Sequence, residues 1–134
     1  MPQPLVSVVI PAYNHERFVG HAIESVLDQT CQDFELVIVN DGSTDGTERV
    51  IQGYGDHRIR YYYQENQDAY NTINRGISLA EGEFIAILNS DDIYLANTLE
   101  KLLQYCSHED KVCAFSDVIP VDDQTNEFSD PDFG

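Results

Sequence analysis

The 134-residue chain sets 7 Lys+Arg against 24 Asp+Glu, a formal charge of −17 at neutral pH. So acidic a surface repels nucleic-acid phosphates and anionic lipid, which both need a basic face. Yet 42% of its residues are hydrophobic, with 8 Tyr and 6 Phe, too much apolar material for a disordered acidic chain. A single folded domain is expected. The odd cysteine set of Cys31, Cys106 and Cys113 has no CxxC spacing, which suggests neither a disulfide framework nor a zinc knuckle and fits a reducing cytosol. The early apolar run, Leu5 to Ile10, lacks a basic flank and is far shorter than the ~20 residues of a membrane span, so no leader or anchor is expected.

Taken in chain order, Leu5 to Ile10 is a β-branched run that reads as a buried strand stopped by Pro11. A helix follows, with Asn14 as its cap, Glu16 in its first turn and Phe18, Val19, Ala22, Ile23, Val26 and Leu27 as its apolar stripe. Phe34 to Val39 is a second strand, ending in the turn-forming cluster Asn40 to Gly46 that opens a short helix near Thr47 to Gln52. Arg58 to Gln64 reads as a third strand, and Ala69, Thr72, Ile73, Gly76, Ile77 and Ala80 as a helix face closed by Gly82. Phe84 to Leu88 is a fourth strand. Asn97 and Glu100 resemble a capping box before a helix that buries Leu99, Leu102, Leu103 and Cys106, and Val112 to Val118 is a fifth strand. Continuous apolar strands alternating with helices predict a doubly wound α/β fold, a mainly parallel sheet covered on both faces. After Pro120 the pattern ends: residues 121–134 hold five acids and no base, an acidic tail or the opening of a further half.

Parallel sheets bind ligands at the carboxyl ends of their strands. The loops there hold Ala12-Tyr13-Asn14, Asp41-Gly42-Ser43, Glu65 to Asp68 and Ser90-Asp91-Asp92. Asp91 and Asp92 read either as the polar start of a helix or as adjacent carboxylates that a divalent ion would neutralise. Asp41 reads as turn chemistry or as an acceptor for a base N–H, and Tyr13 as rim packing or a stacking face. GxGxxG, GxxxxGK[ST] and GxSxG are absent, so dinucleotide, P-loop and serine-hydrolase chemistry find no support. His15, His21, His57 and His108 lack metal-ligand spacing and are expected to be solvated or capping.

Four segments carry a family pattern: 6–14 (VSVVIPAYN), 37–47 (VIVNDGSTDGT), Asn74-Arg75-Gly76-Ile77 and 82–92 (GEFIAILNSDD). In order and spacing they resemble glycosyltransferase family 2, inverting nucleotide-sugar transferases of the GT-A fold, over about residues 5–120. The resemblance implies transfer of a sugar from a nucleoside-diphosphate donor, a UDP-sugar, to a hydroxyl of a saccharide or lipid-linked acceptor, as in polysaccharide biosynthesis. It places Pro11, Ala12, Tyr13, Asn14, Asp41, Asn74 and Asp91 at the nucleotide and Asp92, the last acid of a DxD-type motif, on Mn²⁺ or Mg²⁺. It also implies a cytoplasmic protein, peripheral to the inner membrane face at full length.

Two positions depart from the pattern. Asn89 stands where the motif often begins with Asp, and Ile73 where many relatives carry Arg, leaving Arg75 as the candidate to compensate at the phosphate. Asp117, Asp122 and Asp123 come too early to match the family's catalytic base, so residues 1–120 are expected to be the donor-binding half. A non-catalytic nucleotide-binding module is the alternative. A receiver-like signalling domain would need an acidic pair after the first strand, where Tyr13-Asn14 stands, and a lysine after the fifth, where Ile119-Pro120 stands.

Overall fold

The computed structural model describes residues 3–106. Its elements are β1 (Val6–Ala12), α1 (Val19–Leu27), β2 (Phe34–Asp41), α2 (Thr47–Gln52), β3 (Ile59–Gln64), α3 (Ala69–Leu79), β4 (Phe84–Ile87) and α4 (Thr98–Gln104). The fifth strand expected at 112–118 and the change expected after 120 lie outside the described residues. The chain up to Glu100 belongs to one compact unit and Lys101 onward to a second.

The sheet is parallel, in the order β3-β2-β1-β4. The chain therefore steps outward from β1 to β2 to β3 and then returns to the far side of β1. Right-handed crossovers put α1 and α2 on one face during the outward steps and α3 on the other during the return. The packing agrees: α3's Leu79 lies against Val9, Val37 and Val39. Val8, Ile10, Leu36 and Ile38 point to the opposite face and are equally buried, as strand alternation requires. α1 presents Val19, Ala22, Ile23 and Val26 as its buried stripe. Against β1, α3 approaches so closely at Gly76 that a Cβ there would collide with the Val9 side chain.

Several local expectations are corrected. Pro11 does not stop β1, which runs on to Ala12. Leu88 N–H donates to the Val9 carbonyl on the β4 side, and β4's pairing ends at Val9↔Ile87. By alternation Pro11 faces that same flank one step further on, where no ladder partner needs the missing N–H. Asn14 does not cap α1, whose N-cap residue is Phe18. Asp68 opens α3 by accepting the Asn71 N–H at 2.8 Å, and the helix closes at Ala80, two residues before Gly82. Ile77 stands 38% exposed rather than on α3's buried face. At α4, the Glu100 carboxylate accepts the Thr30 hydroxyl at 2.7 Å. β4 alternates half-buried Phe84 and Ala86 with Ile85 and Ile87, which are 45% and 41% exposed.

Candidate functional site

The chain reverses its direction across the sheet between β1 and β4, and the carboxyl ends of strands at such a point splay their loops apart. A cleft of about 170 Å³ opens there, lined by Pro11, Ala12, Tyr13 and His15 after β1, Asp41 at the end of β2, Ala69 and Thr72 on α3, and Asn89, Ser90 and Asp91 after β4. Tyr13 projects at its rim, 46% exposed.

The loops after β1 and β2 are sewn together. Asn14 sits at φ +50°, in the left-handed region that Asn tolerates. From there its N–H donates to Ser43 Oγ at 3.0 Å and its Oδ1 accepts the Thr44 N–H at 2.7 Å. Asn14 thus builds the wall without lining the cleft. Gly42, at φ +71°, lets the next turn pass beneath Asn66, whose backbone N would stand 2.6 Å from a Cβ there.

Asp41 is 5% exposed. Its Oδ1 accepts Gln64 Nε2 at 2.9 Å and the Gln67 N–H at 2.8 Å, while Oδ2 has one long contact, Asn66 Nδ2 at 3.3 Å. Gln64 Nε2 also reaches Thr72 Oγ1 at 3.2 Å, and Gln64 Oε1 accepts from Arg75 at 3.2 Å, which fixes the amide with its donors toward the carboxylate. No ion-pair partner of Asp41 is present among the described residues.

On the other wall, His15 Nδ1 meets the hydroxyl of buried Ser90 at 2.6 Å. Asp91 and Asp92 follow, both exposed. Asp91 lines the cleft; Asp92 lies just outside it, its N–H donating to the Asn89 carbonyl at 3.0 Å. Tyr94 anchors the far end of this loop through its N–H to Ser25 Oγ and its hydroxyl to the Ile87 carbonyl, both at 3.1 Å. Its burial, and then the charge of Asp92, push the phenol up to about 12.

Of the residues expected at the site, Pro11, Ala12, Tyr13, Asp41 and Asp91 come together in the cleft. Asn74 is exposed on α3 and does not line it. Arg75 points elsewhere: its guanidinium donates to the Tyr63 carbonyl and Gln64 Oε1, both at 3.2 Å, so it does not replace the arginine missing at Ile73. Of the histidines expected to be solvated or capping, His21 and His57 are exposed, half-buried His15 instead turns its ring to Ser90, and His108 lies outside the described residues. Sequence reasoning named Gln67 and Ser90 only as members of strand-end loops and placed neither Gln64 nor Thr72 at the site. Their partners lie too far along the chain for any local pattern to reveal.

A family model described as Glycosyl transferase family 2 matches residues 7–133. The chain belongs to this family. It is 40% identical over 117 residues to the Putative teichuronic acid biosynthesis glycosyltransferase TuaG of Bacillus subtilis, covering 85% of this chain and 46% of that protein. S. aureus TarS 1–349, solved in complex with UDP, superposes with a TM-score of 0.70 at 28% identity over 75% of this chain and 31% of that one. The mannosyltransferase PcManGT of Pyrobaculum calidifontis, solved with GDP-Man and Mn²⁺, shares the fold with a TM-score of 0.68 at 23% identity over 78% and 33% of the two chains. The chain spans 16–46% of the length of the curated relatives it matches. The family 2 chain thus has the doubly wound, mainly parallel sheet expected of it. No helix among its described residues is long and apolar enough to cross a membrane.

Proposed function

We propose that this family 2 chain is the donor-binding part of a glycosyltransferase that moves a sugar, with inversion, from a UDP-sugar to a hydroxyl of a saccharide or lipid-linked acceptor. The observation that carries this reading is Asp41: a buried carboxylate without a cation, lodged in the switch-point cleft with Oδ2 only weakly engaged. Such an oxygen accepts a ring N–H strongly. Uracil and thymine offer one at N3 and guanine at N1, whereas cytosine does not, which argues against a cytidine donor and is compatible with uridine. TarS, the neighbour at 28% identity, has been solved with UDP and with UDP-GlcNAc. Tyr13 borders the base, Ala12 and Pro11 form the floor, and Asp91 lies toward the ribose and the sugar phosphate.

Phosphate charge is the difficulty, because Asp41 and Asp91 line the cleft and neither Lys nor Arg does. The described residues contain no group of three His, Cys, Asp or Glu side chains able to cage a metal ion. Exposed Asp92, with Asp91 beside it, does suit Mg²⁺ or Mn²⁺ in their usual nucleotide form, held by one or two carboxylates, water and the donor's own phosphates. When bound, the ion spreads the charge that builds on the departing nucleoside diphosphate. A thermal-shift panel of UDP, GDP, CDP and dTDP sugars with Mn²⁺ tests the reading. Stabilisation is expected with UDP sugars and smallest with CDP sugars; no stabilisation by any donor contradicts a donor site.

A further inference from the structure

We propose that His15 is the positioning residue of the acidic loop after β4, and that it holds Asp91 and Asp92 in place through Ser90. The inference rests on the donor-site reading above and assigns a role to a side chain that reading does not use.

The loop is pinned at both ends. Leu88 N–H is bonded to the Val9 carbonyl at 2.9 Å, and Tyr94 is bonded to Ser25 and Ile87. Between them lie exposed Asn89, Asp91 and Asp92 around Ser90, which is 2% exposed. Among the described residues, the side-chain hydrogen bond to this segment comes from His15 Nδ1, at 2.6 Å. Two adjacent like charges on a loop without that tie would repel one another and spread.

His15 is itself held firmly. Its backbone N–H donates to the hydroxyl of fully buried Thr47 at 3.0 Å, and Thr47 Oγ donates in turn to Asp45 Oδ1 at 2.5 Å. Its ring stands edge-on to Phe18, centroids 6.1 Å apart at 75°. A chain of hydrogen bonds therefore runs from Asp45 through Thr47 and His15 to Ser90, the residue that precedes Asp91. It joins three loops that the sequence separates by tens of residues, and it gives Asp45 and Thr47 a purpose beyond starting α2.

The tie uses Nδ1 and the Ser90 hydroxyl, with the histidine tautomer deciding which of the two donates. Asparagine can present an acceptor near the Nδ1 position, whereas glutamine reaches toward that of Nε2. Amide hydrogen exchange of the ligand-free full chain tests the tie without requiring any donor to bind. In His15→Ala, exchange at the Asp92 amide is expected to rise about 5- to 10-fold, the scale of one lost hydrogen bond, while the β2 core amide of Val37 stays within about 2-fold. His15→Asn restores protection and His15→Gln does not; Ser90→Ala reports the same bond from its other side should His15→Ala fold poorly. Unchanged Asp92 exchange in both variants, an equal rise at Val37, or rescue by Gln instead of Asn overturns the proposal. Measured alongside, Mn²⁺-dependent UDP affinity separates the two readings. Faster Asp92 exchange in a chain whose parent shows no metal-linked UDP binding supports the tie and overturns the donor site.

Discussion

Strand β2 carries a buried carboxylate at each end, and the two are held in opposite ways. At its start Glu35, 6% exposed, sits opposite Ser7 in the register. It accepts the Ser7 hydroxyl at 2.5 Å, the Glu81 N–H at 2.6 Å and Arg60 Nη1 at 2.7 Å. Burial alone would raise its pKa, but these bonds and the guanidinium charge outweigh that and hold it below the ordinary value. At the other end Asp41, no less buried, is met by amides alone and keeps one oxygen nearly free. A charge neutralised from within the chain is architecture. One left buried without a cation has its best partner still to come, and that partner is the proposed ligand.

The largest expected effect falls on the architectural end. Glu35→Ala removes the shared acceptor of Ser7, Glu81 and Arg60, although Arg60 keeps the Leu79 carbonyl and Tyr62 hydroxyl, and should cost about 3 kcal/mol in urea unfolding, with UDP affinity of the folded protein within about 2-fold. A large loss of UDP affinity would erase the distinction between the two ends. At the open end, Asp41→Asn should weaken UDP binding about 10- to 100-fold while the melting temperature falls by only a few degrees. Asp92→Ala should remove an affinity gain of about 10-fold that Mn²⁺ confers and leave metal-free binding nearly unchanged; identical metal dependence in both proteins would exclude Asp92 as a ligand.

The smallest effect concerns acid. The Arg58 hydrogen bonds and charge hold Asp56 down to about 2. A carboxylate whose pKa is depressed on folding contributes above its unfolded value, about 4, and loses that contribution as pH falls toward the folded value. Stability should therefore decline between about pH 4 and pH 2, with Glu35 adding to the slope. Asp56→Asn should flatten that decline by less than about 1 kcal/mol, since the pair faces solvent. Urea midpoints measured across this range check both the sign and the size.

The order of strands and helices was legible because β-branched runs such as Val37-Ile-Val39 and stripes such as Ala22-Ile23-Val26 have unmistakable periods. The polar staple at the start of the sheet left a readable trace as well: Ser7 and Glu35 each interrupt an apolar strand, and they prove to be register partners. What stayed hidden depends on distant neighbours. Pro11 fits inside a central strand only because β4 stops short. Asn14 serves Thr44 rather than α1, and His15 finds Ser90 across 75 residues. Tyr13, Asp41 and Asp91 were legible as site candidates because strand ends are where parallel sheets bind. The amides that aim Asp41 were not, since Gln64 looks like any strand end and Gln67 like any loop residue until the fold brings them around it.

Calorimetric titration of UDP with Mn²⁺ into the parent chain and into Asp41→Asn tests the central claim most directly. Saturable one-to-one binding by the parent, weakened at least about 10-fold in the variant, is the predicted result. Equal affinity in the two proteins, or no binding by the parent, would contradict it.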